Sequence, residues 1–119
     1  LPMGSDAAFR GDKSRHTPED LLVSALSSCH MLWYLHLCAV NHVVVLEYEV
    51  HATGEMVENP DGSGQFTSVT LNPRVTVSHP SMFEVAQSLH AEAHRMCFIA
   101  RSVNFPVRHA PRVITYEKA

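Results

Sequence analysis

Residues 21–40 carry no Asp, Glu, Lys or Arg, and this uncharged segment restricts the possible folds of the chain more than any other feature. At about 1.5 Å per residue, it is long enough to cross the roughly 30 Å core of a bilayer. No cluster of Lys or Arg flanks it, and the segment before it is too polar for a signal peptide. It also contains five side chains that lipid solvates poorly, namely Ser24, Ser27, Ser28, His30 and His36. The segment is therefore predicted to be a buried helix and not a membrane span.

The residues just before this segment form a helix start signal. Thr17 can cap the helix, Pro18 suits its first position, and the acidic Glu19 and Asp20 face the positive end of the helix dipole. One apolar stripe at helical spacing consists of Leu22, Ala25, Leu26, Cys29, Leu32, Trp33, His36 and Val40. The other faces are apolar as well, and a chain of 119 residues has little room to enclose such a helix. The pattern therefore predicts a dimer in which the second copy covers part of the helix.

The rest of the chain predicts two strands, a second helix and a last strand. Residues 43–57 and 65–78 alternate roughly between apolar and polar, and the hairpin loop 58–64 separates them, so they form an antiparallel pair. Pro73 suggests an edge strand or a bulge. The last strand spans residues 112–117, after a short extended start at the head of the chain. With no linker visible, this order predicts one α+β domain over residues 1–119.

The second helix is predicted to open at Pro80 and Ser81, where Ser81 and Glu84 fit a capping box. Its predicted buried stripe consists of Ala86, Leu89, Ala93, Met96, Cys97 and Ala100.

Charge and cysteine content exclude several classes of protein. Nine Lys and Arg against twelve Asp and Glu give a net charge of −3, which provides no basic surface for nucleic acid. Three cysteines are too few for a disulfide scaffold and suit a reducing compartment, so a cytoplasmic location is predicted. The nine histidines have no functional account at this level. Those outside the two helices are predicted to be solvated, namely His16, His42, His51, His79 and His109.

All three cysteines lie on the predicted helices. Cys29 lies in the middle of the first and Cys97 near the end of the second, and either can be an ordinary core residue, as Cys38 is predicted to be. The spacing of His90, His94 and Cys97 is compatible with a metal site, although no metal-binding motif accompanies it. No metal and no cofactor is predicted.

Several motifs together resemble the OsmC/Ohr family, the osmotically induced protein C and organic hydroperoxide resistance proteins. They are RGDK at residues 10–13, TPEDLL at 17–22, ALSSCH at 25–30 and AEAHRMC at 91–97. In that family a Cys follows the Pro-Glu helix start by ten residues, as Cys29 follows Glu19, and a second Cys lies late in a later helix, as Cys97 does. The resemblance implies an antiparallel sheet wrapped around long central helices in an intertwined homodimer. It also implies one or two further strands before the segment that starts here.

The resemblance further implies a thiol-dependent peroxidase of peroxiredoxin type, which reduces organic hydroperoxides in the oxidative stress response. Cys29 would attack the peroxide and Cys97 would resolve the sulfenic acid as a disulfide. Glu19 and an Arg would activate Cys29; Arg10, nine residues before Glu19, is the preferred candidate, and Arg15, closer to the helix start, is the other. A dithiol such as a lipoyl-protein would act as the reductant. Phe98 stands where the family usually has Pro after the second Cys.

The chemistry of these residues adds two expectations. Ten residues of straight helix rise about 15 Å, so Glu19 reaches Cys29 only if the chain folds back or a partner subunit supplies one of them. Apolar neighbours of Cys29 are predicted to bind the substrate and to favour an organic over an inorganic peroxide, namely Leu26, Met31 and Trp33. An alternative stays open, in which the chain is a non-catalytic OsmC-like protein that binds a small apolar ligand at the dimer interface.

Overall fold

The fold combines two helices with a four-stranded sheet and confirms the predicted α+β class. In this computed structural model, residues 17–115 are described. The elements, in chain order, are α1 (Pro18–Val40), β1 (Val45–Glu58), β2 (Gly64–Val77), α2 (Phe83–Met96), β3 (Val107–His109) and β4 (Arg112–Thr115). The predicted extended start and the end of the last predicted strand lie outside the described residues.

The start of α1 follows from its sequence. The Thr17 hydroxyl oxygen accepts a hydrogen bond from the backbone N–H of Asp20 at 3.0 Å, and Pro18 occupies the first turn, where its missing N–H leaves no bond unmade. From Pro18 the helix runs without interruption to Val40. The helix start predicted from the sequence is therefore confirmed.

The buried face of α1 differs from the predicted stripe. Its buried residues are Leu26, Ser27, His30, Tyr34 and Cys38. Leu32 and Val40, both in the predicted stripe, are 64% and 58% exposed. Within one subunit His30 and Tyr34 are buried through polar partners on α2, whereas Leu32 and Val40 belong to the part of the helix that a second copy is predicted to cover. Much of the apolar surface of α1 consequently faces outward.

The sheet is built around β2. β1 pairs with it antiparallel on one side, and the short strands β3 and β4 pair with it in parallel on the other. β2 is therefore a central strand, and the prediction of an edge or a bulge at Pro73 was wrong. Pro73 lies between the β2 residues paired with β3 and those paired with β4, so its missing N–H falls at the gap between the two short strands. The register irregularities of the hairpin lie elsewhere, at Val45/Glu47 and Glu55/Met56.

The N-terminus of α2 also differs from the helix start that the sequence predicts. Pro80–Met82 forms a short 3-10 turn, and α2 begins at Phe83 without a side-chain cap. The backbone N–H of Ser81 donates to His79 Nδ1 at 3.1 Å, so the capping residue lies two positions before Ser81, the cap of the predicted Ser81–Glu84 capping box.

Two apolar clusters form the core, and α1 contributes to both. The first contains Tyr34, Cys38, Val75, Val77, Ala86 and Ala93 among others, and the second contains Leu26, Val69, Leu71 and Val107. On α1, His30 lies one turn from Leu26 and one turn from Tyr34, so a polar residue separates the two clusters. Within residues 17–115, α1 is the one helix long and apolar enough to span a membrane, but a core helix meets the same criterion. Here α1 packs against α2 and β1.

Candidate functional site

The thiols of Cys29 and Cys97 meet between the two helices. Cys29 lies midway along α1, Cys97 caps the end of α2, and the Cys29 thiol is close enough to Cys97 to raise its pKa. Both are free thiols. Cys29 is partly exposed whereas Cys97 is only 1% exposed, so a reactant from solvent can reach the first far more easily than the second. The structure thus brings together the two cysteines that the sequence placed on separate helices.

The surroundings of Cys97 keep it protonated. Burial, together with the neighbouring Cys29 thiol, raises the pKa of Cys97 to about 11. The backbone N–H of Ala100, 3.5 Å from Cys97 Sγ, acts in the opposite direction but does not cancel burial. At neutral pH Cys97 is therefore a thiol and a weak nucleophile.

Glu19 does not share a site with Cys29 within one subunit. Both residues lie on α1, which is unbroken, so about 15 Å of helix rise separates them. Glu19 instead lines a cavity at the loop end of the β1–β2 hairpin, beside Met56 and Phe66. Folding back of the chain is thereby excluded, and a partner subunit is the remaining way to bring Glu19 to a Cys29. Arg10 and Arg15 lie outside the described residues.

The three predicted substrate residues point in different directions. Leu26 is fully buried in the core, so it has no surface to offer a substrate. Met31 lines a groove between α1 and β1, together with Val50. Only Trp33 lies on the side of the thiols, one turn beyond Cys29.

Phe98 is a site neighbour that the sequence reasoning used only as a departure from the family. It follows Cys97 directly, is 68% exposed, and its ring meets that of Trp33 edge-on at 6.0 Å. The sequence signal that could have identified it was an aromatic residue directly after a candidate reactive cysteine.

A cluster of four histidines lies between the helices and β3. His30 and His90 are each 1% exposed, and His30 Nε2 lies 3.1 Å from His90 Nδ1 in nearly coplanar rings. His109 of β3 lies 5.8 Å from His30 and 5.1 Å from His94, measured between ring centroids. The prediction that His109 is solvated was wrong, because the parallel pairing of β3 with β2 holds it half-buried against α1 and α2.

Burial keeps this cluster neutral. It lowers the pKa of His30 to about 4 and that of His90 to about 3, and nearby histidines add to both shifts. The pKa of His109 is lowered as well, by burial and by His94. At pH 7 the His30–His90 pair is held together by a hydrogen bond between two uncharged rings.

The alternative metal site is not assembled. His90 faces His30, and Cys97 faces Cys29, so the ring and the thiol that would share a metal turn to other partners. Among residues 17–115, no group of three or more His, Cys, Asp or Glu side chains is arranged to hold a metal ion.

The family of the chain follows from its sequence. The family described as OsmC-like protein matches residues 11–111. The chain belongs to the OsmC-like protein family. A search of curated proteins found no match.

Solved structures support the same fold. An OsmC-like protein of unknown function from Vibrio cholerae is 35% identical, with a TM-score of 0.76 over 85% of this chain and 67% of that one. An organic hydroperoxide resistance protein OsmC from Legionella pneumophila is 17% identical, with a TM-score of 0.71 over 93% and 78%. One from Elizabethkingia anophelis, also an organic hydroperoxide resistance protein, is 16% identical, with a TM-score of 0.67 over 94% and 78%. These last two similarities concern the fold alone.

Proposed function

We propose that the chain is a thiol-dependent peroxidase that reduces organic hydroperoxides. The observation that carries the proposal is the contact between a partly exposed thiol, Cys29, and a buried thiol, Cys97, on two packed helices. This is the arrangement that a two-step reaction needs, with one sulfur open to the substrate and a second close enough to form a disulfide. Membership in a family that includes organic hydroperoxide resistance proteins supports the same class of activity.

Each cysteine has a separate role in the proposed reaction. The Cys29 thiolate attacks one peroxide oxygen, the O–O bond breaks, and the alcohol leaves with a proton, so that Cys29 becomes a sulfenic acid. The Cys97 sulfur then displaces the hydroxyl group, and water leaves as the disulfide forms. A dithiol reductant from outside, for which a lipoyl-protein is a candidate, reduces the disulfide and completes the cycle.

Activation of Cys29 requires groups that α1 itself does not bring close. Its position in the middle of the helix gives it no share in the positive end of the helix dipole. We assign this role to Glu19 and Arg10 of a second copy in a homodimer, because Glu19 of the same subunit is separated from Cys29 along α1. The guanidinium of Arg10 would also stabilise the charge that develops on the leaving oxygen. The proposal places this dimer in the cytoplasm, where a reduced thiol persists.

The surface beside the thiols suits an apolar substrate. Trp33 and the exposed Phe98 lie next to the cysteines, and the exposed Leu32 adds to the same side of α1. Each methylene buried here contributes about 0.8 kcal/mol, so even a short alkyl or aryl group gives an organic hydroperoxide a tens-fold advantage over hydrogen peroxide.

A peroxidase assay on cysteine variants tests the proposal. With cumene hydroperoxide and a small dithiol, wild-type protein turns over, and Cys29→Ser falls to background. Cys97→Ser loses disulfide-dependent turnover while Cys29 still reacts with one equivalent of peroxide. Cys38→Ser is the matched control, since Cys38 is buried elsewhere on α1, and it keeps its activity. Equal background rates for wild type and Cys29→Ser would remove the proposal.

One observation favours the alternative of a non-catalytic, ligand-binding protein. Leu32, Trp33 and His36 line a shallow, mainly apolar depression on the outer side of α1, where a second copy would cover a ligand. That reading predicts saturable binding of an apolar ligand, seen through the single Trp33, with no peroxide consumption in the same assay.

A further inference from the structure

The His30–His90 pair leaves two buried nitrogens without partners. In the hydrogen bond between the rings one nitrogen donates and the other accepts. The second nitrogen of each ring, His30 Nδ1 or His90 Nε2, takes no part in that bond. Neither has a hydrogen-bond partner among residues 17–115. An unpaired polar atom in a protein interior costs free energy, so such a pair calls for an explanation. A metal ion does not supply it, because the described histidines and cysteines form no metal-binding group.

The His30–His90 pair lies beside the thiols of Cys29 and Cys97. The two helices are in register along three contacts: the Tyr34 hydroxyl on the Ala86 carbonyl, His30 on His90, and Cys29 on Cys97. His30 adjoins Cys29 in α1, and His90 lies about two turns before Cys97 in α2. These three contacts form the α1–α2 interface, which we call the seam. The histidine pair is the contact next to the thiols along it.

The groups facing the pair cannot neutralise an added proton. They come from three elements: Tyr34 of α1 stacks on His90 at 3.9 Å, His94 lies on α2, and His109 approaches from β3. The charges that act on the pair come from these histidines and from the pair itself, and no described carboxylate is among them. A proton on either ring would lie within a dry interface and beside further imidazoles.

We propose that His30 and His90 are positioning residues for the thiol pair: their neutral hydrogen bond holds α1 against α2, and protonation of the rings releases the contact between Cys29 and Cys97. The inference goes beyond the peroxidase activity, because it concerns the contact itself and holds whatever substrate Cys29 attacks. It makes closure of the disulfide dependent on pH through groups that do not react.

The direction of this dependence follows from linkage. With the seam closed, burial keeps the pKa values of His30 and His90 at about 4 and about 3. With the seam open, both rings return to ordinary values near 6.5, and the open state binds more protons. Falling pH therefore favours the open seam, by up to about tenfold per pH unit for each ring that gains a proton.

An equilibrium between the protein thiols and glutathione measures how readily Cys29 and Cys97 form a disulfide, and it requires no peroxide. Two protein thiols and oxidised glutathione exchange to give the protein disulfide and two reduced glutathione molecules, so atoms and electrons balance. The effective concentration of the two thiols is obtained in a Cys38→Ser background at pH 7, 6 and 5. The histidine variants carry the same thiols as the wild type, so the difference between their pH profiles and that of the wild type reports the histidines and not the thiols. Equilibrium is approached from both the oxidised and the reduced side.

Wild-type sequence in this background is expected to lose effective concentration by about tenfold or more between pH 7 and 5. The double variant His30→Gln/His90→Gln, which keeps hydrogen-bonding groups but cannot be protonated, should change less than twofold. The matched control His36→Gln, an exposed histidine on the same helix, should keep the wild-type slope.

The proposal is overturned if the effective concentration of the wild type does not change with pH. It is also overturned if the effective concentration of the double variant falls as that of the wild type does, or if that of the His36→Gln control no longer changes with pH. Absence of the disulfide at every pH also overturns it. If the double variant does not fold, NMR titration of wild-type protein decides instead: His30 and His90 should take up protons at lower pH in the disulfide form than in the reduced form, and equal titration refutes the inference. Loss of the peroxidase reaction alone leaves all these measurements possible, so the two proposals fail separately.

Discussion

Tyr34 and Tyr48 show that two residues of the same type can contribute differently to the stability of the fold. Their rings lie 6.0 Å apart in the same core. The Tyr34 hydroxyl donates to the Ala86 carbonyl at 2.9 Å, whereas the buried Tyr48 hydroxyl has no partner among residues 17–115. Burial raises the pKa of Tyr48 to about 12, so both hydroxyls stay protonated at any pH at which the fold is stable.

This contrast predicts opposite effects of one chemical change. Tyr34→Phe removes a buried hydrogen bond between α1 and α2 and is expected to lower the free energy of unfolding by about 1 kcal/mol. Tyr48→Phe removes only an unpaired hydroxyl and should leave stability unchanged or raise it slightly. Urea unfolding at pH 7 measures both, and equal destabilisation by the two variants would contradict the assigned hydrogen bonding.

At the scale of a single residue, the sequence predicted where the thiols lie but not their surroundings. The cap at Thr17 was predictable because a capping residue acts on backbone three residues away. The partner of His30 was not, because it lies 60 residues further along the chain. The catalytic roles of Cys29, Cys97, Glu19 and Arg10 stay predictions, and the cysteine variants above test the first two.

Among the elements, α1 ends in a motif that its sequence does not favour. His42 has φ 60°, and its N–H reaches the Ala39 carbonyl at 3.3 Å while the N–H of Val43 reaches the Cys38 carbonyl at 2.9 Å. This is a Schellman motif, which normally places glycine at the left-handed position. Val43 is buried against the core, so the motif also aims the chain from α1 into β1.

We therefore expect His42→Gly to stabilise the protein. Glycine adopts a positive φ without the steric cost that a side chain carries, so the free energy of unfolding should rise by about 0.5–1 kcal/mol. His51→Gly is the matched control: His51 is exposed in β1, where glycine weakens a strand, and this variant should be less stable than wild type. Thermal unfolding compares the two. Destabilisation by His42→Gly would show that the end of α1 differs from the one described.

The whole molecule should lose stability in mild acid. The unfolded chain has histidine pKa values near 6.5, whereas His30 and His90 have pKa values of about 4 and about 3 in the folded protein. Below pH 6.5 the unfolded state binds more protons, so the stabilisation present at neutral pH is lost as the pH falls toward these lower values. Each group contributes up to about 1.4 kcal/mol per pH unit. Urea unfolding at pH 7, 6 and 5 tests this, and constant stability over that range would contradict the buried, neutral pair.

The exposed apolar surface of α1 makes a prediction about assembly. Leu32 and Val40 are more than half exposed on an element whose residues are mostly apolar, which is typical of a surface covered by a partner. If a second copy covers it, Leu32→Lys should shift wild-type dimers toward monomers in sedimentation equilibrium. Gln87→Lys, exposed on α2, serves as the control and should leave the mass unchanged. A monomeric wild type would remove the dimer and, with it, the delivery of Glu19 to Cys29.

The sequence by itself determined the two helices, the β1–β2 hairpin, the last strand, the α+β class and the placement of Cys29 and Cys97 on separate helices, but it missed the short strand β3. These depend on interactions within a few residues: the Thr17 cap, the alternation within the hairpin, and the helical spacing of apolar side chains. The tertiary structure alone decided which face of α1 is buried, why Pro73 is tolerated in a central strand, and that four histidines gather at one interface. Burial of a polar side chain depends on a partner from another element, and no local pattern encodes where that partner will be.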